Sequence, residues 1–231
     1  AAIDTAVANG GGTVLLPAGT YLSGSIRLKS NIELHLEAGA VLLATQDKAA
    51  YDESEPFDFP EYQDGGHTYF HNSLIWAEGQ ENVSITGRGM IDGKGLTKKD
   101  TEKGGQVQGG SIGTGDKAIA LKQCRNILIR DITIYRGGHF AIIVTGCQRG
   151  HIDNVTIDTN RDGIDIDCCK YLSVTNCKVN TPSDDAIVLK SSYALKRAVA
   201  TEHIQINNCL VTGYKLGTFL DGSYQPEKVN W

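Results

Sequence analysis

Gly163-Ile164-Asp165-Ile166 and, a little further on, Asn176-Cys177-Lys178-Val179 decide how this chain folds, because both keep returning. The first recurs as Ala118-Ile119-Ala120-Leu121, Ala141-Ile142-Ile143-Val144, Ala186-Ile187-Val188-Leu189 and Gly217-Thr218-Phe219-Leu220. The second recurs as Asp131-Ile132-Thr133-Ile134, Asn154-Val155-Thr156-Ile157 and Asn208-Cys209-Leu210-Val211. Successive copies stand 22 or 23 residues apart, until both sets gain nine or ten residues, about 191–201, in the last interval. A fixed period of this size signals a repeat architecture. The spaced leucines of a leucine-rich repeat are missing, and the short strands are rich in β-branched residues. The reading is an all-β, right-handed parallel β-helix of about 22–23 residues per coil, with two or three strands in each.

The same rhythm runs back through the chain. Residues 2–9 read as a short amphipathic helix ended by Gly10-Gly11-Gly12. Strand-like runs follow at Thr13–Leu16, Thr20–Leu22, Ser25–Leu28, Asn31–Leu36 and Ala40–Leu43, split by turn residues with no room for a helix. Two long segments break the pattern. Residues 46–72 carry Tyr51, Phe57, Phe59, Tyr62, His67, Tyr69, Phe70 and His71, suited either to stacking on sugar rings or to packing among themselves. Residues 93–116 are rich in Gly and Lys. Residues 1–231 are read as one β-helix domain, expected to be incomplete at both ends.

Composition narrows the function. A net charge of −5 leaves no basic footprint for nucleic acid. No apolar run reaches the ~20 residues of a membrane helix. Six cysteines in a chain this long form neither a small-protein disulfide framework nor paired Cys-x-x-Cys zinc spacing. Stacked columns Cys124, Cys147, Cys169 and Cys177, Cys209 are expected to be buried free thiols. The column Asp131, Asn154, Asn176, Asn208 precedes a strand, where Asn accepts a left-handed backbone and bonds up the stack.

In a β-helix, equal repeat positions lie about 4.8 Å apart along the axis. Asp162 and Asp185 then sit on adjacent coils, with Asp184 one position aside in a column with Arg161 and His139. Asp165 and Asp167 follow outward on the strand of Asp162, and Asp167 shares its column with Lys122, Thr145, Lys190 and Asp221. A simple Asp167–Lys190 pair across one coil is one expectation. Like charges stacked in register are unfavourable unless something uses them. Carboxyl groups bracketing a bond serve glycoside hydrolysis: one is kept protonated by crowding and donates to the leaving oxygen, and another activates water. Room for that water implies groups about 6.5–9.5 Å apart and inversion at the anomeric carbon. Two other readings stand beside it. Clustered carboxylates also suit Ca²⁺ in a polysaccharide lyase with Arg161 as base, and a β-helix can bind glycan without cutting it.

With these residues in view, the chain resembles the polygalacturonase family of glycoside hydrolases, family 28. The likeness rests on Gly11-Gly12-Thr13-Val14-Leu15-Leu16-Pro17-Ala18-Gly19-Thr20-Tyr21, Leu28-Lys29-Ser30-Asn31-Ile32, Glu37-Ala38-Gly39-Ala40 and 82–93. The family's Asn-Thr-Asp stands here as Asn160-Arg161-Asp162, and its Gly-Asp-Asp as Ser183-Asp184-Asp185. The resemblance implies Asp184 as general acid, Asp162 and Asp185 holding and deprotonating water, and a pectic polysaccharide or oligosaccharide as partner. It implies no cofactor and no metal, a monomer, and a secreted or periplasmic location. The family's Gly-His-Gly and Arg-Ile-Lys have no counterpart; His203 is read as a strand-start residue. An anionic sugar needs cationic partners, so Asn160, Arg161, Asp165, Lys190, His139 and Lys215 are the expected substrate-binding residues.

Overall fold

Side chains leave a β-strand on alternate faces, so a run such as Ala141-Ile142-Ile143-Val144 can give Ile142 and Val144 to a core and Ile143 to the opposite face. Repeating that run every coil stacks Ile119, Ile142 and Ile164 in one inward column and Leu121, Val144 and Ile166 in the next, all essentially buried. Each such side chain stabilises the fold by about 1.5–3 kcal/mol.

The computed structural model describes residues 1–56, 65–96 and 117–223. The parts of both long segments that hold Phe57, Phe59, Tyr62 and most of 93–116 lie outside the described residues. A helix, Ala2–Ala8, precedes the first coil. Each full coil gives one strand to each of three parallel sheets. The first sheet stacks Gly12–Leu16, Ile32–Leu36, Glu81–Gly87, Arg125–Arg130, Gln148–Asp153, Lys170–Thr175 and Glu202–Asn207. The second stacks Gly19–Ser23, Ala40–Ala44, Met90–Asp92, Thr133–Tyr135, Thr156–Asp158, Lys178–Asn180 and Leu210–Thr212. The third stacks Ile26–Arg27, Ile75–Glu78, Lys117–Lys122, Phe140–Thr145, Asp162–Asp167 and Ile187–Lys190. Connections between parallel strands turn right-handed, and the result is a right-handed parallel β-helix.

Turns between sheets need left-handed backbone, and the sequence supplies it with asparagine. Asp131, Asn154, Asn176 and Asn208 all have φ between 51° and 67°. Asn154 Nδ2 donates to Asp131 Oδ1 (2.9 Å), and Asn208 Nδ2 to Asn176 Oδ1 (2.7 Å). A second ladder runs Asn31, Asn82, Asn126 (2.7 and 3.0 Å). His203 continues that left-handed column at φ 59° and stacks on Tyr171, centroids 4.7 Å apart, on the first sheet. The cysteines are free thiols, all buried but the half-buried Cys209.

One repeat breaks. Gly217-Thr218-Phe219-Leu220 does not make a strand; Thr218–Asp221 is a helical turn flanked by left-handed Gly217 (φ 91°) and Gly222 (φ 73°). Gly217 N donates to Asp158 Oδ2 (3.0 Å), which draws the chain to the end of the second sheet. Asp221 therefore leaves the column of Asp167.

Candidate active site

Asp162 opens its strand, and the next residue must be glycine. A Cβ on Gly163 would collide with the Ala186 carbonyl oxygen and the Val179 side chain. That close approach lets Gly163 N donate to Asp185 O (2.9 Å) and Ile164 N to Ala186 O (2.9 Å), bringing the turn 183–186 against the Asp162 coil. Thr181 Oγ1 donates to Asp184 O (2.9 Å), Ser183 Oγ to Asn160 Oδ1 (3.3 Å) and Asp185 N to Asp184 Oδ1 (3.1 Å), fixing the turn.

Three carboxylates converge as a result: one oxygen each of Asp162, Asp184 and Asp185 lies within 4.8 Å of the others. Asp162 is only 3% exposed, whereas Asp184 and Asp185 are open to solvent. The Arg161 guanidinium holds the cluster, 2.7 Å from Asp184 Oδ2 and 3.6 Å from Asp162 Oδ2. Burial, reinforced by the Asp184 charge, pushes the Asp162 carboxyl up to about 7. Such a trio could take a hard cation, but a cation of this chain already bridges two of its members. The same pairing engages the residue that a lyase would need as its base.

Below this trio, a second layer is fully covered. Asp165 and Asp167 point outward between inward Ile164 and Ile166, yet both are 0% exposed. Burial, then the Asp162 charge, raises Asp165 to about 8. Lys190 Nζ lies 3.0 Å from Asp165 Oδ2. Asp167 faces Lys190 in strand register but does not pair with it. Ser192 N and Oγ donate to Asp167 instead, which turns the lysine toward Asp165. Burial alone would raise Asp167, but hydrogen bonds from His67 and Ser192 outweigh it and hold it at about 2.

His67 is the residue that repeat reasoning missed. It is 2% exposed, with Nε2 3.1 Å from Lys190 Nζ and 3.5 Å from Asp165 Oδ2, and Nδ1 3.5 Å from Asp167 Oδ2. Lysine only donates, so that contact assigns Nε2 as acceptor and leaves the ring N–H on Nδ1, toward Asp167. The available signal was local: a His-Thr-Tyr-Phe-His run inside an otherwise regular solenoid.

The other expected residues scatter. Asn160 and Arg161 join the trio, and Lys190 joins Asp165. His139 is 3% exposed and stacked on Phe140 (4.5 Å), beneath Gly66, so it is a packing residue rather than a sugar contact. Lys215 is exposed, on the stretch that leads to the Thr218–Asp221 turn. Of the described aromatics in 46–72, Tyr51 and Phe70 are buried and His71 stacks on Trp76 (3.9 Å), so these pack internally.

Comparison with known proteins adds four observations. The profile of Glycosyl hydrolases family 28 matches residues 11–214. A Vitis vinifera protein named "Probable polygalacturonase" is 30% identical over 192 residues, covering 80% of this chain and 38% of its own length. An endo-polygalacturonase of Pectobacterium carotovorum subsp. carotovorum is 26% identical over 223 residues, 88% of this chain and 53% of its own. Among solved structures, an exopolygalacturonase from Thermotoga maritima superposes with TM-score 0.70 at 26% identity, over 93% of this chain and 57% of its own. The chain thus spans about half, or less, of the length of these relatives. No described helix is long and apolar enough to cross a membrane.

Proposed function

We propose, for a chain that belongs to family 28 of the glycosyl hydrolases, that it hydrolyses glycosidic bonds of a galacturonate-containing polysaccharide with inversion. The observation that carries this is the Asp162, Asp184, Asp185 trio, with oxygens within 4.8 Å of one another. Burial, reinforced by the Asp184 charge, keeps a proton on Asp162 near neutrality, within reach of the other two carboxylates, which can share it. Asp184 faces the open side and gives the proton to the leaving oxygen. Asp162 and Asp185, stacked on adjacent coils, hold the water and take its proton. The nearest oxygens, within 4.8 Å, lie closer than the ~6.5–9.5 Å expected for inversion; a sugar that displaces Arg161 from Asp184 widens the gap toward that spacing.

Arg161 and Lys190 supply the positive charge for the substrate's carboxylate. His67 positions that second layer by keeping Lys190 against Asp165. Release outside the cytoplasm, as a monomer, suits a polymer too large to enter the cell.

The test is Asp184→Asn on polygalacturonate, read as new reducing ends. Loss of general acid catalysis lowers the rate by about 10²–10⁴-fold, with substrate binding largely kept. An undiminished rate excludes this assignment. Proton NMR of the first product anomer decides inversion, and an unsaturated product absorbing in the ultraviolet would show elimination instead.

A further inference from the structure

One asparagine ladder on the first sheet stops at Asn126, and other residue types take over its column. Asn31, Asn82 and Asn126 hold left-handed backbone at φ 62°, 55° and 54°. The next three coils put Arg149, Tyr171 and His203 in the same column at φ 57°, 58° and 59°. Left-handed backbone suits asparagine and is unfavourable for a bulky residue. The chain bears that strain on successive coils for side chains that stay outside. Arg149 is exposed, and Tyr171 is 57% exposed with its ring flat against His203. Asparagine at 149 would serve the fold better.

Beside this column, the turns that leave the third sheet open a recess of about 200 Å³, lined by Arg125, Gln148, Lys170 and Arg197 among others. Arg197 arrives on the residues that break the period. That segment is tied down: Thr201 Oγ1 donates to Lys190 O, Thr201 N donates to Ser191 Oγ (3.0 Å), and Leu195 lies against Gly146. Lys170 is paired with Glu202 (2.5 Å). Arg125, Arg149 and Arg197 have no carboxylate within 4.0 Å among the described residues, although Glu81 stands opposite Arg125 in register. Neighbouring like charges are unfavourable unless something uses them, and this chain carries a net charge of −5. The edge is therefore a local excess of positive charge on an acidic protein.

We infer that the edge formed by Arg125, Arg149, Tyr171 and Arg197 is a docking surface for a neighbouring chain of carboxylated polysaccharide. Guanidinium forks match carboxylates bidentately. Coils about 4.8 Å apart present them in a line, as a linear polyanion requires. Tyr171 adds exposed apolar area beside them for a sugar ring. The surface is separate from the site that cuts. Asp162 starts its strand and Cys168 follows its end, about 20 Å away at ~3.3 Å per residue. A polymer held there keeps further substrate at high local concentration. The sugar class rests on the hydrolase reading above; the surface itself rests on its own charges.

The experiment is native electrophoresis of the whole chain through gels holding polygalacturonate or a neutral galactan. Polygalacturonate should retard the wild type and galactan should not. Arg149→Asn combined with Arg197→Gln should weaken that retardation by about tenfold, and raise KM on the polymer while leaving kcat and KM on a short oligogalacturonate unchanged. Arg149→Asn alone should melt no lower than the wild type, because asparagine suits that backbone. Equal retardation of the double variant overturns the surface and leaves the hydrolase reading intact. Equal retardation by galactan, or a parallel loss on the short oligomer, also overturns it. Retardation that the double variant loses, without any hydrolysis by the wild type, upholds the surface and removes the hydrolase reading.

Discussion

Asp153 and Asp162 occupy the same β-helix, and they are handled in opposite ways. Asp153, at the end of a first-sheet strand, receives Thr175 Oγ1 (2.6 Å) and Asn176 Nδ2 (2.8 Å), and these hydrogen bonds hold its carboxyl below the usual range. Asp162, at the start of a third-sheet strand, faces Asp184 and Asp185, and burial pushes it up to about 7. Both aspartates lie in stacked columns. One column alternates acids with amides and hydroxyls from neighbouring coils, so each charge is met. The other stacks acid beside acid, with Arg161 as its cation, and leaves that cost at a place where Asp184 and Asp185 are open to solvent. A solenoid repeats its geometry whatever its side chains do, so the difference between ladder and site lies entirely in which residues fill equivalent positions.

The largest expected effect breaks the trio. Asp162→Asn keeps the shape and removes the proposed base, and kcat on polygalacturonate should fall by about 10²–10⁴-fold. A comparable change in the ladder should leave kcat unmoved.

Next comes pH. Asp162 and Asp165 have folded values of about 7 and about 8, against about 3.9 unfolded. Their contribution to stability is present below about pH 4 and is lost as pH rises through 7 to 8. Thermal melting should show a midpoint several degrees lower at pH 8 than at pH 5, since about 1 kcal/mol moves a chain of this size by about 2–4 °C. Asp162→Asn should flatten that slope. Asp167 and Glu78 work in the opposite sense: held at about 2, Glu78 chiefly by its hydrogen bond from His71, they stabilise above about pH 4 and that contribution is lost toward pH 2.

Smaller is the ladder itself. Asn176→Leu forces a branched side chain into φ 57° and frees Asp153 of one donor, costing about 1–2 kcal/mol in denaturant unfolding, with activity unchanged. Smallest is Arg130→Ala. Its ion pair with Asp131 (3.1 Å) is exposed, and removal should shift stability by no more than about 0.5 kcal/mol.

The trio was legible because a parallel β-helix has one simple rule: residues one period apart are neighbours. Asp162 and Asp185 could be stacked from their spacing, and Asp184 placed beside Arg161. Lys190 was legible only to its column. Register set it opposite Asp167, but side-chain competition decided its partner, because Ser192, in the segment that breaks the period, gave Asp167 better donors. His67 could not be placed at all. It arrives on a segment with no repeat, where no period links sequence position to height along the axis.

The sequence by itself determined the coil, the three-carboxylate cluster, the asparagine ladders and the burial of every thiol but Cys209. All of these are local patterns multiplied by a period, and backbone hydrogen bonding between parallel strands turns a period into a distance. The tertiary structure alone decided that Asp165 and Asp167 are covered and that His67 lies against both of them and against Lys190. Those features depend on where an aperiodic segment packs, and packing answers to shape and charge across the whole face rather than to spacing along the chain.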